Sequence, residues 1–262
     1  MQRGSVCTGI LVTSMVLAGV ASAAPTVTFK AQAVPIPGFP HTGNILGAGS
    51  ALRSEFKISG TEYGGFPAPL IGVNVSLPSG SVLHPSGFPT CARTVLEQEG
   101  PRACLKKGAS AGPVGKALGV VAFGGERVPE EVEISSFFAP GGGFEFFADG
   151  HSPVSLEIIS SAHYVNLGGA EGFGPKLITE VPLVVTVPGA ADGSVESISV
   201  VVGAAYRSHG KPVYYGRLPK SCPAGGCPVR AELTFAPNAM ATSPGPGPVT
   251  VTTLYKAPCP RK

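Results

Sequence analysis

The sequence predicts an all-β protein, a two-sheet antiparallel β-sandwich of the jelly-roll type with one short helix near Cys91. Three observations lead to this prediction. Apolar residues in nearly every hydrophobic run alternate with polar or small residues, which is the period of a strand with one buried face. The runs are short and end at turn residues, of which the chain has 37 Gly and 27 Pro. Val, Ile, Leu and Phe recur in these runs, so the chain can bury a core despite its Gly and Pro content.

The strands follow in order from this alternation. Residues 71–77 illustrate it, because Ile, Val, Val and Leu alternate there with Gly, Asn and Ser. Pro182 lies inside the run 177–187 and predicts an edge or broken strand there, because proline cannot donate to a β-ladder. The predicted strands are residues 26–34, 52–58, 71–77, 115–123, 131–137, 144–147, 154–158, 177–187, 198–206, 229–235 and 249–255.

Helix is predicted only for residues 90–98. Thr90 can cap the first turn, and Gly100-Pro101 ends the helix. Asp149 and Asp192 each lie in an Ala-Asp-Gly sequence, which predicts a tight hairpin turn at both places.

Residues 1–23 have the pattern of a secretory signal peptide. Arg3 supplies a basic start, residues 10–20 an apolar core, and Ala21-Ser22-Ala23 a small-x-small cleavage site. Cleavage near Ala23 predicts a secreted or extracellular protein, with no transmembrane segment in the mature chain. Residues 24–262 are predicted to form a single β-sandwich domain. The alternative is two β-subdomains divided near residues 139–143, whose three glycines could form a hinge.

The cysteines predict disulfides, because an exported protein enters an oxidising compartment. Cys91 and Cys104 are local neighbours and are paired, which should stabilise the fold by about 3 kcal/mol. The predicted hairpin of residues 229–235 and 249–255 brings Cys259 toward both Cys222 and Cys227. Either could bridge Cys259. The pair Cys222–Cys259 is favoured, with Cys227 free or engaged in a dimer.

Charge and ligand patterns predict neither a nucleic-acid partner nor a bound cofactor. The formal charge is +3, only 13% of residues are charged, and no cluster of Lys and Arg forms a stripe. No group of neighbouring carboxylates suits calcium. A zinc site built from the three C-terminal cysteines and His209 is the competing interpretation, but the paired C-x-x-C spacing is absent. No metal ligand is therefore predicted.

No catalytic residue is predicted either. Residues 108–112 match the G-x-S-x-G nucleophile motif, but two lysines precede the match and Pro113 follows it, so the required strand and helix are missing. Two of Glu145, Glu157 and Glu180 could form a glycosidase pair, yet outward strand positions ordinarily carry Glu. The histidines, including His209, form no ligand or base pattern.

The aromatic residues are the candidate binding groups. Phe144, Tyr164, Tyr214 and Tyr215 could contact a partner if they are exposed, although core packing is the favoured role for the Phe-rich stretch as a whole. The predicted function is a non-catalytic structural or interaction protein of the cell envelope or extracellular space. Its partner would be an envelope polymer or another exported protein. A carbohydrate-binding module is the alternative, and a secreted hydrolase is a third.

The turn and cysteine pattern resembles that of exported β-rich proteins of unknown function typical of high-GC actinobacteria. The resemblance implies a shared disulfide-bearing β-scaffold, with no activity and no catalytic residue to transfer. It also implies that Cys227 is an extra cysteine without a partner. The residues that carry the resemblance are Leu77, Pro78, Ser79, Gly80, Pro85, Phe88, Pro89, Thr90, Cys91, Gly100, Pro101, Cys104, Gly108, Ser110 and Gly115, followed by Cys222-Pro223 and residues 232–235 and 257–260.

Overall fold

The computed structural model describes residues 24–123, 126–184, 192–236 and 247–261. Strands dominate these residues, and helix is confined to one disulfide-bearing segment and a short 3-10 turn at Ala170–Gly172. The elements are β1 (Thr26–Val34), β2 (Ala51–Ser59), β3 (Leu70–Pro78), β4 (Val82–Leu83), α1 (Arg93–Glu99), α2 (Pro101–Lys106), β5 (Gly115–Phe123), β6 (Glu126–Phe138), β7 (Phe144–Gly150), β8 (Leu156–Asn166), β9 (Phe173–Glu180), β10 (Ser194–Val202), β11 (Ala205–Ser208), β12 (Lys211–Tyr214), β13 (Gly216–Arg217), β14 (Cys227–Phe235) and β15 (Val249–Ala257).

Eleven of the strands form one antiparallel sheet in the order β1-β2-β10-β5-β6-β7-β8-β9-β3-β14-β15. The sheet curls until its two edge strands, β1 and β15, lie against each other. The predicted two-sheet sandwich is therefore wrong, because a single sheet nearly closed into a barrel takes its place. Two small two-stranded sheets, β11 with β12 and β4 with β13, lie beside the barrel.

The barrel stays short of closure, because no ladder among the described residues joins its edge strands β1 and β15. Every neighbouring pair in the sheet is antiparallel, so with eleven strands the first and the last run the same way. An antiparallel ladder cannot join two such strands. Side chains join them instead: the rings of Phe29 on β1 and Tyr255 on β15 meet edge to face, 6.4 Å between centroids.

The sandwich prediction failed for a physical reason. Alternation shows that one face of each strand is buried, and a sandwich and a barrel both satisfy that condition. The two architectures differ in which strands are neighbours. Here β10 is inserted between β2 and β5, and β3 lies between β9 and β14, so strands distant in sequence join one continuous sheet.

One side of the barrel interior is filled by its own side chains. Phe29 of β1 and Phe56 of β2 stack with their ring centroids 4.8 Å apart. Leu233 and Phe235 of β14 are at most 1% exposed in the same cluster. This packed side consists of β1, β2, β3, β14 and β15. On the opposite side, which consists of β10 and β5 to β9, side chains fill the interior less completely.

The helical segment packs on the outer face of β6, β7 and β8. The Cys91–Cys104 disulfide is fully buried there against Leu96 and Phe137. The predicted single helix over residues 90–98 is instead a pair, α1 and α2, which Gly100 separates at a φ of +73°. Ala92, and not Thr90, occupies the N-cap position of α1.

Two further local predictions need correction. The run containing Pro182 was predicted as an edge or broken strand. The break is present, since β9 ends at Glu180 before the proline, but the edge position is wrong, because β9 lies inside the sheet between β8 and β3. Asp149 lies within β7, paired with Glu133 and Glu157, and not in a turn.

The predicted signal peptide, residues 1–23, lies outside the described residues. Within the described residues, no helix combines the length and the apolar character needed to cross a membrane.

Candidate functional site

The barrel interior contains a cavity of about 190 Å³ on its less completely filled side. Inward residues of β2, β3 and β5 to β10 form its wall. Val132, Ile158 and Val200 line this space from β6, β8 and β10 and are half-buried. The lining is aliphatic and aromatic for most of its extent, with further contributions from Leu52, Phe56 and Leu177. We call this space the main cavity.

A buried carboxylate belongs to the wall of the main cavity. Glu130 of β6 has no exposed surface. Its two oxygens accept hydrogen bonds from the backbone N–H groups of Ser152, at 3.0 Å, and Val154, at 3.1 Å. Glu130 thereby ties the β7–β8 connection to the barrel, and its acceptors are committed to the protein itself.

A second cavity, of about 150 Å³, lies at the end of the barrel where β7 and β14 begin. Its wall includes Phe144, Tyr215, Arg217 and Cys227. Leu52, Leu77, Tyr164 and Val202 line both cavities, so one layer of side chains stands between them.

The structure brings three of the four predicted binding residues together at this partition. Phe144 and Tyr215 are only 1% and 2% exposed, and their ring centroids are 5.4 Å apart. Tyr164 meets Phe144 edge to face at 5.8 Å. Tyr214 points away from this group and packs against Phe39 and the guanidinium of Arg217. A binding role for these residues stays a prediction.

The two interior phenols are held in their neutral form. Burial raises the pKa of Tyr164 well above its ordinary value, and the nearby Tyr215 raises it further. Burial also raises the pKa of Tyr215, although its contact with the backbone of Gly143 opposes the shift. The N–H of Gly143 donates to the Tyr215 hydroxyl at 3.2 Å. The partition therefore presents uncharged aromatic surface to both cavities.

The carboxylates considered for hydrolysis lie on the outer face of the barrel. Glu145 of β7 accepts a hydrogen bond from the Ser161 hydroxyl at 2.7 Å. Desolvation raises the pKa of Glu145, while the hydrogen bond and the nearby Arg93 oppose that shift. Glu157 lies opposite Asp149 in the β7–β8 ladder. His209 lies between β11 and β12, with its Nδ1 3.1 Å from the Ser208 hydroxyl.

The serine of the G-x-S-x-G match is used locally. The Ser110 hydroxyl donates to the carbonyl of Gly112 at 2.9 Å, and Ser110 forms an isolated antiparallel bridge with Phe137. The segment thus continues the sheet beside β6 instead of forming the strand-turn-helix that a nucleophile elbow needs.

The C-terminal cysteines form one disulfide and one free thiol. Cys222 is joined to Cys259, and Cys227 is free and buried. Two of the cysteines proposed as zinc ligands are therefore consumed by a covalent bond. In the part of the chain that the structure describes, no group of three or more His, Cys, Asp or Glu residues could hold a metal ion.

Sequence reasoning missed Glu130 and the main cavity. A signal for Glu130 was present, because Glu130 shares strand parity with Val132 and Ile134, and period two places all three on one face. No comparable signal exists for the cavity, because empty space depends on how far apart opposite walls lie.

No protein-family model, curated protein sequence or solved structure matches this chain. The resemblance to exported actinobacterial proteins stays a prediction.

Proposed function

We propose that this protein binds one uncharged, apolar small molecule inside its barrel and does not catalyse a reaction of that molecule. The main cavity carries the proposal, because it is an unfilled space of about 190 Å³ whose wall is mostly aliphatic and aromatic. A closed or nearly closed β-barrel with an apolar interior is a common way to enclose one small ligand.

The size of the cavity supports this proposal. An apolar cavity of about 150 Å³ stays dry and takes up a molecule such as benzene. The main cavity exceeds that size, and the second cavity adjoins it across Tyr164 and Val202. Filling such a space with apolar atoms contributes about 25 cal/mol for each Å² of apolar surface removed from water.

The charges of the wall support an uncharged ligand. Glu130 is the one Asp, Glu, Lys, Arg or His among the described residues that line the main cavity, and two backbone N–H groups already satisfy it. A ligand carboxylate would find no cation there, and an unpaired buried charge is costly. Arg217 lines only the second cavity.

An apolar ligand also fits the aromatic residues better than a sugar does. A carbohydrate-binding face needs ring surfaces open to solvent, whereas Phe144 and Tyr215 are buried within the barrel. The proposal keeps the non-catalytic interaction class predicted from the sequence and moves the contact from the surface to the interior. Export through residues 1–23 stays a prediction.

A fluorescence titration with the uncharged probe N-phenyl-1-naphthylamine tests the proposal. The wild-type protein should enhance the fluorescence of the probe saturably, with one molecule bound per chain. Ala117→Phe places a phenyl ring into the main cavity, because Ala117 lines it between Val132 and Ile198. This variant should bind at least about tenfold more weakly.

Lys116→Phe is the matched control. Lys116 is the neighbouring residue on β5 and is exposed, so the same aromatic group is added on the opposite face. Its affinity for the probe should stay that of the wild type. The proposal fails if the wild type shows no saturable enhancement, or if folded Ala117→Phe binds as the wild type does.

A pair of displacing ligands tests the absence of charge. Oleyl alcohol and oleate share one hydrocarbon chain and differ in the ionised head group. We expect the alcohol to displace the probe at a concentration at least about tenfold lower, since the described residues that line the main cavity include no cation. Equal or better displacement by oleate would refute the uncharged ligand and direct attention to Arg217.

A further inference from the structure

The three C-terminal cysteines form a compact sulfur cluster beside the second cavity. The Sγ atom of the free Cys227 lies 3.2 Å from the Sγ atom of Cys222, which is itself bonded to Cys259. A disulfide bond is about 2.05 Å long. A displacement of little more than 1 Å would therefore bring Cys227 to bonding distance.

Two features of the backbone keep the cluster together. The β14–β15 ladder places Cys227 opposite Ala257, two residues before Cys259. The turn that follows Cys222 is closed by a hydrogen bond from the N–H of Gly226 to the carbonyl of Pro223, 3.1 Å long. The ladder and the turn meet at the Cys222 sulfur. Backbone structure therefore holds the sulfur atoms of Cys227 and Cys259 close to it.

We propose that this cluster is an intramolecular thiol–disulfide exchange site with Cys222 as the shared sulfur. The Cys227 thiol loses its proton to solvent, and the resulting thiolate attacks the Sγ atom of Cys222. The Cys222–Cys227 bond forms as the Cys222–Cys259 bond breaks. Cys259 leaves as a thiolate and takes up a proton from solvent, so nothing is oxidised or reduced overall.

Exchange would move the free thiol from the interior to the surface. Cys227 is only 5% exposed, whereas Cys259 is exposed. The released thiol would lie next to Pro258 and Pro260, which line the second cavity. A reactive thiol could then form a mixed disulfide by attacking the disulfide of another exported protein.

Burial should make the exchange slow at neutral pH. Desolvation raises the pKa of the Cys227 thiol, so a small fraction is thiolate, and the thiolate is the attacking species. Below that pKa, the exchange rate should rise roughly tenfold for each unit of pH.

Alkylation followed by peptide mapping tests the proposal. Native protein is incubated at pH 7, 8 and 9 without reductant, alkylated with N-ethylmaleimide, and digested with trypsin at mildly acidic pH. Cys222 and Cys227 share the tryptic peptide 221–230, and Cys259 lies in the peptide 257–261. The original disulfide links the two peptides. Exchange instead gives peptide 221–230 with an internal disulfide and a separate, alkylated peptide 257–261.

We expect the alkylated peptide 257–261 to accumulate with time, and faster at higher pH. In Cys227→Ser, which lacks the attacking thiol, the two peptides should stay linked at every pH. The proposal is overturned if the label is found only on Cys227 or on Cys222, or if the pairing is the same at all times and pH values. It is also overturned if Cys227→Ser releases alkylated peptide 257–261 as fast as the wild type.

Discussion

Replacing Glu130 should destabilise the barrel much more than replacing the acid beside it. In Glu130→Gln, the amide oxygen can accept from only one of the two N–H groups of Ser152 and Val154. One charge-assisted hydrogen bond is weakened, and one N–H is left facing the amide nitrogen. An unsatisfied buried group costs about 1–3 kcal/mol. With the loss of charge assistance, the free energy of unfolding should fall by about 2–4 kcal/mol.

Urea denaturation followed by far-ultraviolet circular dichroism measures this loss. At about 2–4 °C per kcal/mol for a chain of this size, the midpoint of thermal unfolding should fall by roughly 4–16 °C. Glu131→Gln is the matched control, because Glu131 is exposed on the opposite face of β6. Its unfolding free energy should change by less than about 0.5 kcal/mol. If the two variants were equally stable, Glu130 would not anchor the β7–β8 connection, and the argument would be refuted.

Two further predictions concern the outer face. The double variant Cys91→Ala/Cys104→Ala removes a disulfide whose cysteines are 13 residues apart in sequence. Its free energy of unfolding in the same urea assay should be lower by about 3 kcal/mol. A loss below about 1 kcal/mol would contradict the loop-closure argument. Glu145 has a folded pKa above its ordinary value of 4.5, so the folded state binds more protons, and this group's contribution to stability falls as pH rises from about 4.5 through the folded pKa. Glu145→Gln should remove that part of the pH dependence of stability. If the unfolding free energies of the wild type and the variant showed the same dependence on pH from 4 to 7, the inference would be mistaken.

Several elements could be predicted because their cause is local. Residues 26–34 and 115–123 were predicted as strands and are the bounds of β1 and β5. The predicted C-terminal hairpin is the β14–β15 pair, in which Val229 lies opposite Tyr255. Two signals are sufficient to predict such elements: the alternation of apolar with polar residues, and the turn residues at the ends of each run. Both signals depend on only a few neighbouring residues.

Other elements could not be predicted because their cause is distant in the chain. The run containing Pro182 was expected to be an edge or broken strand. It breaks before the proline, yet β9 lies inside the sheet because both β8 and β3 pair with it. Glu145 was considered as a possible catalytic acid, and only the fold shows that α1 and Ser161 cover it on the outer face. Phe144 and Tyr215 share no local pattern, but they meet beside the second cavity.

The sequence by itself determined that the chain is made of strands, where most of them lie, and which face of each is apolar. Period-two alternation is a property of single strands, so no tertiary information is needed for it. The tertiary structure alone decided that these faces enclose a space instead of packing against a second sheet. That outcome depends on pairings between strands far apart in sequence, such as Leu52 with Val202, and on the curvature that brings β1 against β15.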